Sequence, residues 1–161
     1  MRIAVIDDEK YSRVALVRQI ENFLPHAEIF EAGSGAQAVE LLEKHTFDIL
    51  FLDIHLGDME GTTIAALARR LMPQAKIIFA TAYSDYAVRA FELRADDYLL
   101  KPFQDKELVA AIEHIHRKEQ EKSGLSVSDE LPLAKGERIA VIGEAEALRY
   151  QGSGSSKVVV S

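Results

Sequence analysis

The chain has 161 residues, 48% hydrophobic and 28% charged, and its 19 Lys plus Arg against 26 Asp plus Glu give a net charge of −7. That is one domain's length with enough chain to bury a real core, in an ordinary globular composition. The acidic balance argues against an extended basic surface that grips nucleic acid by its phosphates. The absence of cysteine excludes disulfides, a thiol nucleophile and Cys-ligated zinc or iron–sulfur centres, and points to a reducing cytoplasm.

The opening Met1-Arg2-Ile3-Ala4-Val5-Ile6 meets Asp7-Asp8-Glu9 too soon to be a secretory segment, and no later run approaches the ~20 apolar residues of a membrane span. The expectation is a soluble, untargeted, cytoplasmic protein with no membrane partner. Short apolar runs at 3–6, 27–30, 47–52, 76–80 and 97–100 read as buried strands. Amphipathic stretches separate them: Leu16, Ile20, Phe23 and Leu24; Ala38, Leu41 and Leu42; Ile64, Leu67, Ala68 and Leu71; and Leu108, Ile112 and Ile115. Their helical spacing predicts helices. Ser34 is placed to cap the helix through Leu42, Pro73 follows a helix end, and Ser84 is placed to cap a short helix over 85–91. Five βα units predict an α/β fold: one doubly wound parallel sheet with helices on both faces.

The pattern changes near residue 122. Lys122-Ser123-Gly124 ends the last helix, and a polar, acidic linker is expected over 123–130. Short strand-like pieces at 133–134, 138–142, 147–150 and 157–160, with Gly/Ser turns between them, read as a β-meander. So few large apolar side chains make no independent core. The expected organisation is therefore a domain over 1–122, a linker over 123–130 and a partial β-rich segment over 131–161.

Chemistry concentrates at the strand ends. Asp7 and Asp8 follow the first strand, Asp53 the third, Thr81 the fourth and Lys101 the fifth, and in a doubly wound sheet these ends meet at the ligand-binding edge. Three clustered carboxylates repel one another unless a cation compensates, and hard oxygen ligands suit Mg²⁺. With a lysine and a hydroxyl added, the set fits phosphoryl transfer to a carboxylate. Asp53 is the expected acceptor, Lys101 neutralises charge, and Thr81 contacts a phosphoryl oxygen. An acyl phosphate is reactive and transient, the chemistry of a switch.

The stretches Val5-Ile6-Asp7-Asp8-Glu9, Leu52-Asp53-Ile54-His55-Leu56, Thr81-Ala82 and Asp97-Tyr98-Leu99-Leu100-Lys101-Pro102-Phe103 together resemble the receiver domain of two-component response regulators. The resemblance implies a flavodoxin-like sheet of order 2-1-3-4-5 and phosphorylation of Asp53 by a sensor histidine kinase. It implies Mg²⁺ held by Asp8, Asp53 and the backbone carbonyl of His55, with Asp7 helping through water. A cis bond at Lys101-Pro102 and a switch pair of Thr81 and Tyr98 are implied too. Gly57 departs from the proline frequent in the family, which bears on that loop's rigidity. The stretch Thr81-Ala82-Tyr83-Ser84-Asp85-Tyr86-Ala87-Val88-Arg89-Ala90-Phe91-Glu92 is similar to receivers of LytTR-class transcription regulators, and the tail is similar to the first strands of their DNA-binding module. The likeness implies a phosphoacceptor signalling domain that is not an enzyme toward external substrates. It would pair through its fourth helix, fifth strand and fifth helix, and reach DNA only through a full-length output domain.

Competing readings exist. An aspartate-nucleophile phosphatase shares the Asp, Thr, Lys and Mg²⁺ but needs a second acid where this chain has His55. A flavin or nucleotide carrier needs phosphate donors in its first loop, where Asp7-Asp8-Glu9 would repel the ligand. A stand-alone receiver acting through protein contacts accepts the site and denies the output. Gly33-Ser34-Gly35 reads as turn and cap rather than a dinucleotide fingerprint. Tyr83, Tyr86 and Phe91 read as helix packing, with Tyr83 or Tyr86 as a possible partner surface. His114 and His116, two apart, point to different faces and make no metal site.

Overall fold

The computed structural model describes residues 1–92 and 94–123. The expected linker beyond Ser123 and the β-rich segment over 131–161 lie outside the described residues, as does the side chain of Tyr86. In chain order the elements are β1 (Arg2–Ile6), α1 (Lys10–Phe23), β2 (Glu28–Ala32), α2 (Gly35–Lys44), β3 (Ile49–Leu52), α3 (Gly61–Leu71) and β4 (Lys76–Thr81). A 3₁₀ turn (Ser84–Tyr86), α4 (Ala87–Glu92), β5 (Asp97–Leu100) and α5 (Asp105–Ser123) complete it. The strands pair in parallel in the order β2-β1-β3-β4-β5, as the resemblance implies.

The continuous apolar runs make sense once both faces of the sheet are seen to be covered, since each strand must then bury alternate residues in opposite directions. On one face Ala4, Ile6, Leu50, Leu52, Ile77 and Phe79 meet Ala38 and Leu42 of α2, Ile64, Ala65 and Ala68 of α3, and Ala90 of α4. On the other, Ile3, Val5, Ile49, Phe51, Ile78 and Leu99 meet Leu16 and Ile20 of α1 and Leu108, Ala111, Ile112 and Ile115 of α5. Each fully buried Leu, Ile or Phe stabilises the fold by about 1.5–3 kcal/mol against exposure.

Local signals set the helix starts. Ser34 accepts a hydrogen bond from the Gln37 N–H at 3.1 Å, as its position predicts. Glu9 caps α1 through the Ser12 N–H at 2.7 Å, and Glu107 reaches back to the Gln104 N–H at 2.8 Å ahead of α5.

The structure corrects four details. β2 runs over Glu28–Ala32 rather than 27–30, because its register follows β1 from Arg2 opposite Glu28 to Ile6 opposite Ala32. Ser84 opens a 3₁₀ turn and does not cap α4, which starts at Ala87. Leu71, on the predicted buried stripe of α3, is 49% exposed at the helix end. Tyr83 and Phe91 do not pack inside: they are 46% and 75% exposed.

Candidate functional site

The parallel register delivers the predicted residues to one edge. Asp7 continues β1, its N–H bonded to the Ala32 carbonyl at 3.1 Å, and Asp53 continues β3, its N–H bonded to the Ile6 carbonyl at 3.0 Å. The Lys101 N–H donates to the Thr81 carbonyl at 2.8 Å, and the Lys101–Pro102 bond is cis. Asp7, Asp8 and Asp53 each offer a carboxylate oxygen, all within 4.8 Å of one another. Asp7 and Asp53 are buried and Asp8 is exposed.

One cation stands among them. The Lys101 ammonium lies 2.6 Å from Asp7 Oδ2 and 3.0 Å from Asp53 Oδ2. Burial pulls its pKa down, but the hydrogen bond to Asp7 and the charges of Asp53 and Asp7 together outweigh that and hold it above the ordinary lysine value. The remaining oxygens are also engaged: Asp7 Oδ1 accepts the Glu9 N–H at 2.9 Å, and Asp53 Oδ1 accepts the Ile54 N–H at 2.7 Å. Asp8 has no hydrogen-bond or ion-pair partner among the described residues. Three carboxylates with one ammonium leave two net negative charges, each pair repelling by about 3 kcal/mol at 4.8 Å in a partly solvated site. Hard, anionic oxygens with an excess of negative charge suit a hard divalent cation.

Thr81 is fully buried at the end of β4, and its Oγ1 accepts the Tyr83 N–H at 3.4 Å. Tyr98, half-buried against Phe79, donates its hydroxyl to the Tyr83 carbonyl. The Tyr83 segment therefore links the hydroxyl and the aromatic ring expected to act as a pair. The His55 ring stands edge-on to Tyr83 at 4.5 Å and shares a 2.9 Å hydrogen bond with Glu60.

The loop after β3 holds Asp53 by steric closeness. A Cβ on Gly61 would lie 1.9 Å from the Asp53 carbonyl oxygen, and the Gly61 N–H donates to the Ile54 carbonyl at 2.5 Å. Gly57 has φ +82° and sits inside a γ-turn closed by the Asp58 N–H and the Leu56 carbonyl at 2.9 Å. Proline, fixed near φ −65°, cannot adopt that backbone. The departure at Gly57 thus marks a differently turned loop rather than a loose one.

Sequence reasoning missed two anchors of the site, Asp58 and Arg13, and one of the sheet's other end, Arg69. Asp58 accepts the Gly35 and Ala36 N–H groups at 2.7 and 3.0 Å, tying the loop to the start of α2, and these bonds hold its carboxyl below the ordinary value. Arg13 donates to the Asp7 carbonyl at 2.8 Å and pairs with Glu31 at 3.0 Å. Arg69 donates to the Ala75 and Arg94 carbonyls and pairs with Asp96 at 3.0 Å, fastening the turn before β5. Most join segments 18 to 27 residues apart, and no local pattern announces them.

Comparison with known proteins decides the family. Residues 3–113 match the response regulator receiver domain. The chain belongs to the response regulator receiver family. Among curated proteins, this receiver is 34% identical over 134 residues to the sensory transduction protein LytR of Streptococcus agalactiae, covering 82% of this chain and 54% of the relative. It is 38% identical over 115 residues to the transcriptional regulatory protein LytR of Staphylococcus aureus, covering 71% and 47%. The chain thus spans about half the length of these relatives. Among solved structures, the response regulator TrrA of Thermotoga maritima in complex with Mg²⁺ and BeF matches at TM-score 0.62 and 31% identity, over 73% of this chain and 96% of that one. The receiver is thus similar to the matching part of proteins named LytR and LytT for sensory transduction. Among the described residues no helix is long and apolar enough to cross a membrane.

Proposed function

We propose that Asp53 accepts a phosphoryl group from a sensor histidine kinase and that the phosphorylated receiver controls a LytTR-type DNA-binding output in a longer cytoplasmic regulator. The observation that carries this reading is the Lys101 ammonium held by both Asp7 and Asp53, beside a third carboxylate and a buried threonine. In the transfer an Asp53 carboxylate oxygen forms the new P–O bond as the bond from phosphorus to the donor's imidazole nitrogen breaks, and the electron pair stays with the donor. Lys101, already charged and fixed, offsets the negative charge that arrives, so little reorganisation is needed. Asp8, Asp53 and the His55 carbonyl would hold Mg²⁺, with Asp7 assisting through water; when bound, the ion neutralises charge on the transferring oxygens.

After transfer, Thr81 donates its hydroxyl to a phosphoryl oxygen and gives up the hydrogen bond from the Tyr83 N–H. The Tyr98 ring, tethered to the same Tyr83 segment, moves with it. The surface of α4, β5 and α5, where Phe91 and Leu100 are exposed, then pairs two receivers. His55 stands where an aspartate phosphatase carries its second acid, and it is engaged with Glu60, which supports self-catalysed phosphorylation and dephosphorylation without turnover of external substrates. The division into a receiver over 1–122, a linker over 123–130 and an output segment over 131–161 belongs to the same proposal.

The test is intact mass after incubation with acetyl phosphate and Mg²⁺. One phosphoryl group is expected on the wild type and none on Asp53→Asn or without metal. An adduct retained by Asp53→Asn would overturn the assignment.

A further inference from the structure

The Asp8 carboxylate makes no hydrogen bond or ion pair of its own among the described residues, so its direction is set by the backbone on either side of its Cα. Both flanking peptides are pinned. On the C-terminal side the Glu9 N–H donates to Asp7 Oδ1 at 2.9 Å, and Asp7 Oδ2 is in turn held by Lys101 at 2.6 Å. On the N-terminal side the Asp7 carbonyl accepts Nη1 of Arg13 at 2.8 Å, while Nε of the same guanidinium donates to Glu31 Oε1 at 3.0 Å. Arg13 stands in the first turn of α1 with its side chain 18% exposed. A Cβ on Gly33 would come within 3.0 Å of Nη1, so the bare backbone there leaves the guanidinium its room.

The guanidinium is a rigid fork, and with Nε fixed on Glu31 at the end of β2 it presents Nη1 to the Asp7 carbonyl in one geometry. Its charge does not explain its place. A second cation beside three carboxylates works against taking up a divalent ion, and Glu31 offsets that charge. We propose that Arg13 is a positioning residue for the divalent-cation site: by holding the Asp7–Asp8 peptide it keeps the Asp8 carboxylate facing Asp53, and Glu31 braces the fork and cancels its charge. The assignment rests on the Mg²⁺ reading under Proposed function. With the peptide held, little backbone freedom is lost when a cation arrives; without Arg13, Asp8 must be ordered at that moment.

The test is calorimetric titration of the whole chain with Mg²⁺, without a phosphodonor, for wild type, Arg13→Met and Asp8→Asn. Arg13→Met is expected to bind Mg²⁺ roughly tenfold more weakly, within the range that partners of metal ligands command. An arginine acting through its charge alone gives the opposite sign, because its removal makes the site more negative. Unchanged or tighter binding by Arg13→Met therefore overturns the proposal. In the metal-free protein the amide order parameter of Asp8, read by NMR, is expected to fall from about 0.85 to below about 0.6 in Arg13→Met; an amide that stays rigid overturns it too. If Arg13→Met loses the circular-dichroism signature of the fold, Arg13→Lys, which keeps the charge and loses the fork, is measured in its place and read the same way. Failure of the underlying metal reading looks different: wild type takes up no Mg²⁺, or Asp8→Asn takes it up as tightly, and the proposal falls with it.

Discussion

Gly61 and Lys101 carry the most specific demands on single residues. Adding a methyl group at Gly61 drives a carbon to 1.9 Å from the Asp53 carbonyl oxygen, and neither backbone can yield without moving the acceptor. Gly61→Ala is expected to cost about 1–3 kcal/mol, as overpacking does, and to slow phosphorylation by acetyl phosphate; urea denaturation and intact mass read the two effects. Lys101 has a folded pKa above its ordinary value of 10.5. Its contribution is therefore fully present below pH 10.5 and is lost as pH rises through the folded value. Without metal, the stability gap between wild type and Lys101→Met should be constant from pH 9 to about 10.5 and shrink above that in urea titrations. A gap that persists unchanged to pH 12 would contradict the ion-pair account. Asp7, Asp8, Asp53, Thr81 and Lys101 were legible as a group because strand ends in a parallel sheet converge. The glycine at 61 was not, since the steric need comes from a backbone eight residues earlier that only the fold brings near.

At the scale of elements, α2 shows how a helix start is shared between near and remote caps. Ser34 serves the Gln37 N–H from within the sequence, and Asp58 serves Gly35 and Ala36 from the loop beyond β3. Ser34→Ala is expected to lower stability by about 1 kcal/mol in urea titrations. Asp58 has a depressed folded pKa, so its contribution is present above the ordinary value of 3.8 and disappears as pH falls through the folded one. The stability gap between wild type and Asp58→Asn should therefore be constant above about pH 3.8 and close as pH falls below it, in acid titrations monitored by circular dichroism. The spacing of apolar residues located α1, α2, α3 and α5 because a buried helix face repeats in sequence. It could not say where a neighbour stops covering that face, which is why Leu71 and Phe91 lie at the surface. The short stretch 84–92 was the least legible, because two polar residues and a tyrosine open it as a 3₁₀ turn.

For the molecule as a whole, the two covered faces and the edge that gathers the three carboxylates come from one strand order. The α4–β5–α5 surface leaves Phe91 75% and Leu100 44% exposed. With Mg²⁺ and beryllofluoride, a mimic of the phosphoryl group, sedimentation should show dimers of the wild type and monomers of Phe91→Asp. A Phe91→Asp chain that still pairs would move the interface elsewhere.

The same strand order bears on synthesis. β1 and β3 lie side by side, so Asp7, Asp8 and Asp53 can come together as soon as the first half of the chain is made. Their internal counter-charge sits on Lys101, at the end of the last strand. At roughly 5–20 residues per second, several seconds separate the two events on the ribosome. Until β5 is in place, the three carboxylates lack the ammonium that offsets two of them in the folded receiver.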